Sequence, residues 1–252
     1  MAYPILSPSH ATQSLATKCA LAVMAKAPQP GRVKTRLSPP LTPEQAAALN
    51  IRFLRDTTQN LSEVSAAGDA AGLISYTPVG DEALFDGLLP DGFALIPQRG
   101  DGFGERLLAA AEDILACGFG AVCLIDSDSP TVPPAAFRQA VDELKRPGDR
   151  IVLGGSDDGG YYLIGLKKPH PQLFANIHWS TSTVYAETVA AISGAGLELI
   201  ELPLWYDVDD GTTLDMLSGE LLRGTPLPFA TMSGYPAPHS REFLLHLAGV
   251  SQ

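Results

Sequence analysis

The chain has 252 residues, of which 45% are apolar and 18% charged, an ordinary globular composition with length for one large core. Its formal net charge of −11 sets it against nucleic acid and anionic membrane as partners. No apolar run approaches the ~18 residues that a membrane span needs, and the best one, 19–25, stops at Lys26.

Residues 1–17 have neither the basic start nor the long apolar segment of a secretory signal, and they contain no arginine. They read as a flexible extension ahead of one cytoplasmic domain, 18–252, whose tail is Pro-rich from about 225. The next segment is unusual in charge. Lys18, Lys26, Arg32, Lys34 and Arg36 all precede the first acid, Glu44, on an otherwise acidic chain. Such a basic loop suits a small polyanion.

Short apolar runs at 21–24, 72–76, 93–97, 121–125, 150–153, 161–166 and 197–202 predict strands, several apolar on both faces. Helical patterns lie between them. Thr42-Pro43-Glu44-Gln45 supplies an N-cap, a Pro at the first helical position and a capping-box Gln. Leu49, Phe53, Thr57 and Leu61 then follow at spacing four. Further helices are expected at 105–117, 134–144, 183–192 and 212–222, with a short pattern near 243–247. The alternation predicts an α/β fold with a mostly parallel sheet. Cys19, Cys117 and Cys123 have no paired-ligand spacing, so free thiols and no zinc site are expected.

Ligands of open α/β sheets bind beyond the carboxyl ends of the strands, and four polar motifs fall at such positions. Lys26-Ala-Pro-Gln-Pro-Gly-Arg32-Val-Lys34-Thr-Arg36 gathers four cations that could cradle phosphates. It lacks the Gly before Lys of a P-loop, and it could equally be a solvated basic loop. Asp126-Ser-Asp128-Ser-Pro130 ends a buried strand with two acids that could share Mg²⁺ or Mn²⁺ with substrate phosphates. A turn ahead of the next helix would use the same residues. Asp157-Asp158-Gly159-Gly160-Tyr161-Tyr162 is a hairpin signal that need not exclude a site. Tyr206-Asp207-Val208-Asp209-Asp210 places acids at another strand end, or caps the helix that follows. Lesser candidates are Gly102 and Gly104, where backbone could approach a base or ribose, and Ser180 and Thr181, whose hydroxyls head a helix.

These residues resemble the bacterial "transferase 1, radical-SAM/selenodomain-associated" family, a glycosyltransferase-like group linked by name to arsenosugar biosynthesis. The match runs in order through 24–37, 126–130, 157–162, 179–181 and 207–209, and leaves out the C-terminal tail. That family is similar in turn to guanylyltransferases of cofactor biosynthesis. The resemblance implies a GT-A fold of the nucleotide-diphospho-sugar transferase kind, a three-layer sandwich with a mixed sheet and one reversed strand. It implies a divalent cation on Asp128 and Asp209. Where the family often carries Gly this chain has Asp126, which ranks Asp126 below Asp128. It also implies phosphate contacts from Lys26, Lys34 and Arg36, and an acceptor beside Asp158, Gly159 and Gly160. The expected function is nucleotidyl transfer to an acceptor phosphate, ahead of glycosyl transfer from an NDP-sugar to a small acceptor. A non-catalytic nucleotide sensor is the third reading.

Overall fold

The apolar run after Lys18 becomes the central strand of the sheet, β1 (Cys19–Lys26), buried on both faces until its last residue. In the computed structural model, which describes residues 3–249, six further strands flank it: β2 (Ala70–Thr77), β3 (Ala94–Pro97), β4 (Ala121–Ile125), β5 (Arg150–Ser156), β6 (Tyr161–Leu166) and β7 (Glu198–Trp205). Residues 1–2 and 250–252, the outermost parts of the expected extension and tail, lie outside the described residues. The spatial order is β3-β2-β1-β4-β6-β5-β7. Only β6 is reversed, antiparallel to both β4 and β5. The mixed sheet with one reversed strand, expected from the resemblance, is therefore present.

Parallel strands covered on both faces need helices on each side. The helices α1 (Pro43–Ser65), α3 (Pro134–Lys145), α5 (Gly211–Arg223) and α6 (Pro238–Leu247) contribute to one core, with Leu49, Phe53, Phe137, Leu217 and Leu244 buried in it. On the other face α2 (Phe103–Ala116) and α4 (Val184–Gly194) bury Leu107, Ile114 and Ile192. This is the three-layer sandwich. The capping box at α1 forms as the sequence predicts, with Gln45 N–H donating to Thr42 Oγ1 and Thr42 N–H to Gln45 Oε1.

Two terminal segments differ from expectation. Residues 4–6 pair with the edge strand β3, and Thr12 N–H donates to the Cys117 carbonyl at 2.9 Å, so this segment is held against the domain. Leu95 N–H donates to the Pro4 carbonyl and Leu6 N–H to the Leu95 carbonyl, both at 2.8 Å. They thus cover the hydrogen-bonding groups that the edge strand β3 would otherwise expose. Backbone pairing of this kind leaves no trace in composition. Helix α6 starts at Pro238, ahead of the apolar pattern near 243, because α1 caps it. Asp56 accepts from the N–H groups of His239 (3.0 Å) and Ser240 (2.7 Å). Cys19, Cys117 and Cys123 are free and buried. No helix among the described residues is long and apolar enough to cross a membrane.

Candidate functional site

Because β1, β4, β5 and β7 run in the same direction, their carboxyl ends share one edge. β7 is not a neighbour of β4, yet its acids reach it. After Trp205 the chain turns back past β5, where Ser156 Oγ donates to Asp207 Oδ1 at 2.8 Å. It then meets the end of β4, where Val208 N–H donates to the Asp128 carbonyl at 2.9 Å. The two acidic strand ends therefore converge.

The loop after β1 sends Lys34 into that junction. Its Nζ lies 2.9 Å from Asp128 Oδ1 and 3.0 Å from Asp209 Oδ1, and donates to the Val208 carbonyl at 2.7 Å. Only 4% of the Lys34 side chain is exposed, against 32% and 26% for the two acids. Its φ of 48° is left-handed, uncommon for a residue with a Cβ, and such strain persists where surroundings over-determine it. Burial lowers the Lys34 pKa, but the two carboxylates outweigh it and hold the group above its ordinary value. For Asp209 burial works upward, and Lys34 with Arg36 more than reverses it. Arg36 pairs with the other Asp209 oxygen. Asp207 is pushed up to about 6 by burial, then by Asp158 and Asp209.

Two hollows adjoin this junction. The first, of about 350 Å³, is bounded by Phe103, Tyr161, Trp179 and several acids. The second, of about 240 Å³, is a basic cleft lined by Lys26, Arg32, Lys34, Arg36 and Asn50. Asp128, Asp209 and Arg36 line both. Arg32 and Lys26 have no acidic partner within the described residues, whereas Lys34 and Arg36 are engaged by the acid pair.

Several expected site residues stand elsewhere or act differently. Asp126 lines the first cavity, but its carboxylate accepts from Ser129 Oγ (2.7 Å) and does not join Asp128 and Asp209. Burial and the Asp128 charge push its pKa well above the usual carboxylate range. Gly102 and Gly104 do not line either hollow. The N–H groups of Asp101 and Gly102 are taken by Glu105, and a Cβ at Gly104 would meet Trp179 Nε1 at 2.5 Å. Those glycines serve the start of α2 and its packing against Trp179. The Asp157–Gly160 segment is the β5–β6 hairpin turn, with Gly159 at φ 92°. Asp158 and Gly160 still face the first cavity, with Tyr161, Ser180 and Thr181, whereas Asp157 and Gly159 do not line it. The Thr181 hydroxyl donates to the His178 carbonyl at 2.6 Å.

Asp207 and Trp179, which fall within the matched motifs without an assigned role, line the first cavity with Phe103, and Asn50, outside every motif, lines the second. Asn50 is 4% exposed with an unpartnered Oδ1. Its signal was a polar residue at spacing four between Ala46 and Leu54, within an otherwise apolar stripe.

The carboxylates bear on the expected divalent cation. Mg²⁺ is commonly held by one or two carboxylates, with substrate phosphates completing its shell. Asp128 and Asp209 fit that role, since both already reach one cation, Lys34 Nζ, at the rim of the basic cleft. A three-acid site including Asp126 is not formed. Among the described residues no group of three or more His, Cys, Asp or Glu is placed to hold an ion.

The family model described as "Uncharacterized protein conserved in bacteria (DUF2064)" matches residues 60–181. A crystal structure of a candidate nucleotide-diphospho-sugar transferase from Desulfovibrio desulfuricans G20 is similar at a TM-score of 0.76. The two chains are 29% identical, over 92% of this chain and 96% of that one. The CMP:2-keto-3-deoxy-manno-octonic acid synthetase complexed with CTP superposes at 0.53, with 13% identity, over 82% of this chain and 99% of that one. These likenesses establish the GT-A-type fold. A Rhodococcus opacus (strain B4) protein named "Probable DNA ligase" is 26% identical in an alignment 238 positions long that covers 82% of this chain. The chain spans only 45% of that relative's length.

Proposed function

We propose that the chain is a divalent-cation-dependent transferase that takes a nucleotide-activated donor, with the donor phosphates in the basic cleft. The sharing of Asp128, Asp209 and Arg36 between the two hollows carries this reading. A phosphate tail in one hollow and a second reactant in the other would meet over a single acid pair. Lys26 and Arg32 neutralise the phosphates, and Asp128 and Asp209 hold Mg²⁺ or Mn²⁺. The ion, when bound, supplies positive charge to a phosphate leaving group. Lys34 lies within reach of both the acid pair and the cleft, and adds its own charge there. The 29% identity to the D. desulfuricans protein supports the same class of donor.

Within that class we favour glycosyl transfer from an NDP-sugar. An acceptor hydroxyl oxygen bonds to the sugar carbon and loses its proton, the bond from that carbon to the phosphate oxygen breaks, and the nucleoside diphosphate departs. The four cations of the basic loop do not all stand ready for a triphosphate, because Lys34 and Arg36 are already engaged by acids. Nucleotidyl transfer keeps one observation in its favour, the room in the basic cleft, about 240 Å³. The two reactions differ in products. The protein is incubated with Mg²⁺, NTPs, NDP-sugars and a metabolite extract. Extract-dependent release of nucleoside diphosphate from an NDP-sugar is expected. Pyrophosphate from an NTP would establish the other transfer, and tight binding with neither product would indicate a sensor.

A further inference from the structure

The acid junction accounts for only part of the first cavity. Asp126, Asp158 and Asp207 add further carboxyl groups to Asp128 and Asp209, while Arg36, the one cation lining it among the described residues, is paired with Asp209. Hydroxyls of Ser156, Ser180 and Ser182 stand among them. Another part of the wall is aromatic. The Phe103 and Trp179 rings are 5.2 Å apart and edge-to-face, and Tyr161 and Trp179 are 6.3 Å apart in the same manner. Phe103 is 46% exposed. Tyr161 also lines the cavity, while its hydroxyl is buried from solvent and has no hydrogen-bond partner among the described residues.

We propose that this cavity binds an uncharged, polyhydroxylated ring, and that it rejects phosphorylated or carboxylated ones. Carboxylates accept hydroxyl donors without requiring charge on the ligand. Aromatic walls receive the apolar C–H face of such a ring, and the few polar groups fix its orientation. With the ion on Asp128 and Asp209 committed to the donor phosphates, an anionic ring would still meet Asp158 and Asp207, and among the described residues the cavity offers no unpaired cation to offset them. This inference rests on the reading that phosphates occupy the basic cleft, and it excludes a phosphate acceptor. The ring is either the sugar of the donor or a separate acceptor.

Calorimetry separates these cases. The probes are UDP and GDP with Mg²⁺, neutral monosaccharides and myo-inositol, their monophosphates, and the corresponding UDP- and GDP-sugars. A neutral ring should bind at least about tenfold tighter than its own phosphate. Trp179→Ala and Asp158→Asn should each weaken that ring by about tenfold while nucleoside diphosphate affinity stays within about twofold. Asp158 sits on an exposed turn, so its variant serves if the Trp179 variant does not fold. If Trp179→Ala lowers NDP-sugar affinity relative to the NDP, the ring belongs to the donor. If it abolishes only free-ring binding, the ring is the acceptor. Equal or tighter binding of phosphorylated rings overturns the proposal, as does failure of every neutral ring to bind. Neutral rings binding without any NDP binding would leave the cavity proposal standing and remove the nucleotide reading.

Discussion

An ammonium with 4% of its side chain exposed has lost most of its water, and Lys34 recovers hydrogen bonds from Asp128, Asp209 and the Val208 carbonyl. Removing one member of a fully buried pair costs about 3–5 kcal/mol. Asp128 and Asp209 keep 32% and 26% exposure, so solvent relieves part of that. Lys34→Met, similar in length but uncharged, should therefore cost about 2 kcal/mol in urea unfolding with chelator present. The same substitution frees the two carboxylates. Mn²⁺ should then raise the unfolding midpoint of Lys34→Met more than that of the parent chain, without nucleotide. Identical midpoints in chelator and in Mn²⁺ for both proteins would show that Lys34 does not compete for the acid pair. Gly159 offers a second test. At φ 92°, with the Ser182 backbone carbonyl where a Cβ would project, Gly159→Ala is strained twice over. It should cost more than about 1 kcal/mol by thermal unfolding, and a neutral substitution would mean that the turn and the head of α4 separate freely.

At the scale of elements, α6 depends on a partner far away in the chain. Its N-cap residue, Ala237, has no side-chain acceptor, and Asp56 of α1 takes the N–H groups of His239 and Ser240 in its place. Asp56→Ala leaves those donors buried and should cost about 1–3 kcal/mol by denaturant titration. Burial raises the Asp56 pKa above 3.8, against the opposing hydrogen bonds from Ser240 and His239. The folded state thus holds that proton more tightly than the unfolded one. Its contribution is complete below pH 3.8 and declines as pH rises through the folded value. The stability gap between the parent chain and Asp56→Ala should therefore widen on acidification over that range, and a gap that narrows would contradict the assignment. Elements fixed by local pattern were legible in the sequence: the strands, from runs apolar on both faces, and α1, from Thr42 and Gln45. Those fixed by distant partners were not, and α6 and the residue 4–6 segment along β3 are the instances.

For the whole molecule, the same division applies to the site. Its four motifs were legible because strand ends of an α/β sheet share an edge. That Asp128 and Asp209 share one cation was expected from the resemblance, but the path that joins them was not legible, since it depends on the chain after Trp205 returning past β5 to meet Asp128. Nor could spacing show that Lys34 and Arg36 are engaged by acids, which leaves Lys26 and Arg32 as the cleft's cations without acidic partners among the described residues. On a chain of net charge −11 these two must draw an anionic nucleotide against a repulsive field, so they govern affinity more than stability. A charge-assisted contact contributes about 1.5–3 kcal/mol. Both side chains stand at an open, hydrated rim, so the lower figure applies, and each Ala substitution should weaken nucleoside diphosphate binding by about tenfold. The unfolding midpoint should move little, because exposed cations without partners contribute little to folding. Salt gives the sharper measurement. Affinity of the parent chain should fall as ionic strength rises from about 0.01 to 0.15 M, over which the Debye length contracts from roughly 30 to 8 Å. The Lys26→Ala/Arg32→Ala double variant should show a much flatter dependence. A double variant that keeps the parental slope would place the phosphates outside the basic cleft, and with them the donor geometry on which the transferase reading depends.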